Sequence, residues 1–157
     1  MRAAKFVLVA GLLLAGAGVH ATAGVRSAAP APEAADPAKI VTQFYNLVFL
    51  DHKVKEGFAR FVGPVYRQHN PRVADGPAAT IAYLEKRFAE NPQARNEIIR
   101  SFVNGDLVAL HVHSTLGPQD RGKAIVDIFR VKNGRIVEHW DVIQDIPEPS
   151  ANDNGMF

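Results

Sequence analysis

From Asp36 to Glu90 apolar residues return every three or four positions, and from Asn96 to Gln144 they return every second one. The chain therefore predicts helices first and strands afterwards. Asp36-Pro37 sets a capping side chain before a proline suited to a first helical turn, and Ile40, Phe44, Leu47 and Val48 carry that helix to about Asp51. Val54, Phe58, Phe61 and Val62 continue the period in a short second helix that Gly63-Pro64 ends. A third opens at Asp75-Gly76-Pro77, presents Ile81, Leu84 and Phe88 on one face, and stops before Asn91-Pro92.

The strands fall into two hairpins. Asn96 to Val103 and Leu107 to Leu116 meet across Asn104-Gly105-Asp106, and Lys123 to Lys132 and Arg135 to Gln144 meet across Asn133-Gly134, a strong two-residue turn signal. Gly117 to Gly122 joins the pairs, so the second half reads as an antiparallel meander. Three helices followed by a long antiparallel sheet is an α+β order in which the helices cover one sheet face. Twist curls such a sheet into a cone that can hold a small ligand at its open end.

Composition narrows the class. At 157 residues, 47% hydrophobic and 22% charged, the chain suits one globular domain, and nine Phe, three Tyr and one Trp are too many for a disordered one. Zero Cys excludes thiol nucleophiles, thiolate metal sites and disulfide frameworks. Met1 to Ala23 has basic Arg2 and Lys5, an apolar run from Phe6 to Ala15 and the small-residue motif Ala21-Thr22-Ala23, the pattern of a secretory signal peptide. The apolar run falls short of the roughly 20 residues of a membrane span, so stable insertion after cleavage is not expected. Cleavage removes two of 18 basic residues and leaves 16 against 16 acidic ones, which takes away any nucleic-acid footprint. Residues 24–36 read as an Ala/Pro-rich linker, 37–146 as the working domain and 147–157 as a flexible tail, with a periplasmic or secreted location.

Facing residues in a symmetric hairpin sum to a constant, which names cross-strand neighbours. A turn on Asn133-Gly134 pairs Asp127 with Trp140, and a turn centred on Asp120 pairs His113 with Asp127, giving one row of His113, Asp127 and Trp140. Alternation sets Asp127 among Ile125, Phe129 and Val131, where a lone carboxylate is a poor structural choice without a partner or ligand. The chemical reading is a general acid/base with His113 holding the carboxylate or relaying its proton. The bland alternative is a buried pair that only stabilises the sheet. His139 and Asp141 fall on the opposite face if alternation is regular, an assignment that a bulge would change. His111 shares the face of His113, and this His-x-His pair after Gly105 matches the start of a cupin metal motif. The Glu that motif needs is missing from Ser114 to Pro118, which leaves a site completed by His69 or Asp127 as a lesser alternative. Tyr66-Arg67-Gln68-His69-Asn70-Pro71 is dense in polar groups and reads either as the cone's mouth or as a plain surface turn.

That last segment, together with the run Asp127 to Asp141, resembles SnoaL-like, polyketide-cyclase-type proteins of the NTF2-like superfamily over about Pro37 to Gln144. The resemblance implies a conical pocket, usually in a homodimer or larger assembly. It also implies aldol chemistry without metal or cofactor, with Asp127 as the pocket acid/base and His113 as the pocket histidine. His69, Asn70 and Trp140 match positions resembling pocket lining, and Tyr66, Phe129 and His111 complete the expected cavity residues. The leader sets this chain apart from cyclases that act beside cytoplasmic synthases. The expectation is an exported protein that binds a small, largely apolar carbonyl compound and catalyses aldol or isomerase chemistry on it. The alternatives are a binding module without turnover and a histidine metal site.

Overall fold

The computed structural model describes residues 36–157, so the expected signal peptide and nearly all of the expected linker lie outside the described residues. Helix α1 (Pro37–Phe49) starts as its sequence requires: the Asp36 carboxylate accepts the Ala38 amide at 3.0 Å and Pro37 occupies the first turn. Its buried stripe is Val41, Phe44, Tyr45 and Val48, rotated slightly from the expected one, which leaves Ile40 and Leu47 half-buried and draws Tyr45 into the core. Helix α2 (Val54–Phe61) buries Val54, Gly57, Phe58 and Phe61. Helix α3 (Pro77–Glu90) buries Thr80, Leu84 and Phe88.

Strand β1 (Val62–Gln68) precedes α3, and strands β2 (Arg95–Asn104), β3 (Leu107–Thr115), β4 (Lys123–Lys132) and β5 (Arg135–Asp145) follow it. The spatial order is β1-β5-β4-β3-β2, with β1 parallel to β5 and every other pair antiparallel. The fold is the expected α+β arrangement of three helices on a curved sheet, but that sheet is mixed and has a fifth strand. Gly63-Pro64 reads as a terminator, yet an edge strand tolerates a proline, and here Pro64 is exposed on the edge. Asn133 and Gly134 have φ of 51° and 72°, as a tight hairpin turn between twisted strands requires.

Two register details decide which residues face the helices. The turn between β3 and β4 is centred between Pro118 and Gln119 rather than on Asp120, with Ser114 opposite Lys123. Asp120 sets it by accepting the amides of Leu116 and Gly122 at 2.7 and 3.0 Å, contacts that hold its carboxyl below the usual range. Asp127 therefore pairs with Leu110, and His113 pairs with Ala124. In β5 an extra residue, Val137, interrupts the ladder: Val131 faces Ile136 but Arg130 faces Glu138. Beyond this bulge Phe129 faces His139 and Asp127 faces Asp141, so both residues turn toward the helices and Trp140 turns away.

Candidate active site

Between the helices and the inner sheet face lies a cavity of about 180 Å³ with walls of Phe44, Phe58, Leu84 and Phe129 and polar groups at one side. Asp127 and His139 line it while being only 5% and 8% exposed. The Tyr45 hydroxyl donates to Asp127 Oδ2 at 2.5 Å, and His139 Nε2 lies 3.0 Å from Asp127 Oδ1. Neither residue is a stray polar group, because every buried polar side-chain atom among the described residues has a hydrogen-bond partner.

The network orders donors and acceptors around the pair. The Asn70 amide donates to Gln68 Oε1 at 2.9 Å, which makes that oxygen an acceptor, so His139 Nδ1, also 2.9 Å away, carries a hydrogen and donates to it. His139 Nε2 then faces Asp127 Oδ1 across a buried hydrogen bond. On the other side Ser114 Oγ donates to Asn96 Oδ1 at 2.8 Å and Asn96 Nδ2 donates to the Tyr45 oxygen at 3.1 Å, leaving the Tyr45 hydrogen aimed at Asp127. Burial, reinforced by the negative charge of Asp127, pushes the Tyr45 hydroxyl well above the ordinary tyrosine range. Tyr66, also in the wall, is pushed up by burial and then by Asp127 and Asp141.

Asp141 stands directly across from Asp127 on the neighbouring strand and accepts from Asn70 Nδ2 at 2.5 Å. Like charges so placed repel, and a proton or a cation between them relieves the repulsion. Asp127, His139 and Asp141 each offer a ligand atom within 4.8 Å of the others, so they are the residues that could hold a metal ion.

Of the residues singled out in the sequence, Asp127, Phe129, Tyr66 and Asn70 line the cavity. His113 does not. The displaced turn puts it on the outer sheet face, where Nε2 donates to the Arg121 carbonyl at 3.0 Å. His111 shares that face, and the Phe157 ring lies 5.2 Å from His111 and 4.7 Å from His113. The bulge sends Trp140 outward as well, stacked 4.8 Å from His69, which is bonded to Glu138 at 3.0 Å. His69 and Arg130 hold the Glu138 carboxyl below its usual range in a cluster on the sheet face opposite Asp127. The pocket histidine is His139, and its only signal in the sequence was the proviso that a bulge would reverse its face. Gln68 belongs to the polar segment read as the cone's mouth, whereas Tyr45 and Asn96 give no signal in the sequence, since nothing in their spacing marks them out from core or strand residues.

Three helices packed on a five-stranded mixed sheet is the NTF2-like fold, shared with several solved structures. One is a candidate polyketide cyclase, IdmH from Streptomyces antibioticus, at 19% identity and TM-score 0.56, covering 69% of this chain and 91% of that one. Another is AclR from Streptomyces galilaeus, a candidate hydroxylase, at 20% identity and TM-score 0.57, covering 71% and 91%. A third is a SnoaL-like protein of unknown function from Burkholderia thailandensis, at 15% identity and TM-score 0.59, covering 73% and 99%. No functionally curated protein matches the chain. The model of the SnoaL-like domain matches residues 41–139, and the chain belongs to that family.

Proposed function

We propose that this protein is an exported SnoaL-like enzyme that binds a small, largely apolar carbonyl compound and performs acid/base chemistry on it without a cofactor. The observation that carries the reading is the Asp127–His139 pair, hydrogen-bonded at 3.0 Å and buried at the wall of a cavity that also carries the apolar surfaces of Phe44, Phe58, Leu84 and Phe129. Asp127 accepts a proton from the carbon α to the carbonyl, using lone pairs left free by Tyr45 and His139. The enolate attacks a second carbonyl carbon to form the new C–C bond, or is reprotonated elsewhere to isomerise. The carboxyl then returns the proton to the alkoxide or carbon. His139 and Tyr45 hold the carboxylate during both transfers. The cavity is close in size to one that accepts a single aromatic ring, which favours compact substrates over multi-ring ones. The relatives described as cyclase and hydroxylase candidates support small-molecule chemistry in this fold without naming a reaction.

Binding without turnover is the second reading, favoured by the occupation of both Asp127 oxygens by protein donors. A panel of aldol, retro-aldol and isomerase substrates separates the two. Asp127→Asn is isosteric and can donate to a neutral His139, so fold and ligand binding are expected to persist while turnover falls by about 10²–10⁴. His113→Ala, across the sheet, is expected to stay within about twofold of the parent rate. Turnover that survives Asp127→Asn, or that disappears on chelation together with a stoichiometric metal, refutes the proposed chemistry. We also infer export, read as recovered protein that begins near Gly24. Homodimer formation through the outer sheet face is inferred from its exposed Val126 and Val142, which sit opposite one another on β4 and β5.

A further inference from the structure

Within the cavity the charged groups are unequally satisfied. Asp120 accepts two backbone amides, Asp127 is bonded to Tyr45 and His139, Asp141 accepts from Asn70, and Lys123 pairs with Asp145. Two arginines differ: Arg72 lines the cavity exposed, with no side-chain partner among the described residues, and Arg87 of α3 is the half-buried one. It lines the cavity half-buried, with its guanidinium 5.4 Å over the Phe88 ring, and spends one nitrogen, Nη2, on two neutral oxygens: Asn96 Oδ1 at 3.3 Å and Ser114 Oγ at 3.1 Å. No carboxylate among the described residues lies within 4.0 Å of it. Its Nε and Nη1 have no acceptor among the described residues. A guanidinium so placed presents a planar fork matched to a carboxylate.

We infer that Arg87 is the anchor for a carboxylate on the substrate, so that this site takes small carbonyl compounds that are also monoacids. The anchor and the acid/base pair belong to one hydrogen-bond chain, Arg87 to Ser114 and Asn96, then Tyr45, then Asp127. A molecule held at Arg87 is thereby indexed against Asp127 through a fixed frame, and the charge of Arg87 reaches as far as the Tyr45 hydroxyl, which it partly stabilises in its ionised form. Three carboxylates share the cavity, and a dianion such as a phosphate monoester meets their repulsion with Arg87 as the one half-buried cation to offset it, Arg72 being exposed and Lys123 paired with Asp145. A singly charged planar group is the better match. Arg87 is on this account a specificity-determining residue, and the inference rests on the acid/base reading of the same cavity.

Calorimetric titration of the purified protein with benzoate and with benzamide, its neutral isostere, tests the anchor directly. Benzoate is expected to bind about tenfold or more tightly than benzamide. Arg87→Gln is expected to erase that ratio, and Arg87→Lys to keep part of it by preserving charge without the fork. Equal affinities in the parent protein, absence of benzoate binding at millimolar concentration, or a ratio that survives Arg87→Gln overturns the inference. If Arg87→Gln does not fold, the parent ratio and the Arg87→Lys variant decide. The two readings fail separately. An Arg87-dependent benzoate preference without turnover of any carbonyl acid keeps the anchor and removes the acid/base chemistry. Turnover of neutral ketones with equal benzoate and benzamide affinities removes the anchor alone.

Discussion

Tyr45 shows how much one hydroxyl can organise. It accepts from Asn96, donates to Asp127 and is completely buried, so its ionised form is disfavoured throughout the neutral range. Tyr45→Phe leaves Asp127 Oδ2 and Asn96 Nδ2 without their partner, and is expected to cost about 1–3 kcal/mol in denaturant unfolding. The sign of its pH dependence follows from the raised folded value. The stabilisation is whole below the ordinary tyrosine value of about 10 and is lost as pH rises beyond it, because the unfolded chain ionises first. A stability profile above pH ~10 should accordingly fall less steeply for Tyr45→Phe than for the parent. At this scale the sequence exposes Asp127, since an acid amid Ile125, Phe129 and Val131 demands a partner. It conceals Tyr45, because a tyrosine on an amphipathic helix looks like any other core aromatic until the rotation of the helix is known.

Among the elements, the contact of α1 with α2 depends on a residue that has no side chain. A Cβ placed on Gly57 would collide with Val48 Cγ2, while the Phe44 ring, edge-on to Phe58 at 5.4 Å, stays at ordinary contact distance. Gly57→Ala is expected to destabilise by about 1–3 kcal/mol in spite of alanine's better helix propensity, read as a lowered midpoint in urea. Helices and hairpins were legible because caps, prolines and Asn-Gly turns act within a few residues of themselves. The registers were not. A loop centre moved from Asp120 to between Pro118 and Gln119, or one unpaired residue such as Val137, reverses the face of everything beyond it while leaving local patterning intact. Strand β1 escaped notice for a related reason: as an edge strand it needs little of the alternation that marks a central one.

For the molecule as a whole, the sheet divides two environments, the cavity on one side and a face with exposed Val126 and Val142 on the other. Val142 is 68% exposed, and Val142→Arg would place a charge at the centre of the proposed interface. Light scattering is expected to find a dimer for the parent and a monomer for the variant, and a monomeric parent would refute that assembly. Val137 carries a broader implication. Beyond it, one backbone strand bears histidine and aspartate on its odd positions and an indole on the even one between them. Losing a single codon there would exchange a proton-handling pair for an aromatic lining without altering any side chain that remains. Relatives sharing every residue of this strand could thus differ in chemistry through one insertion or deletion, a difference that aligning identities would miss.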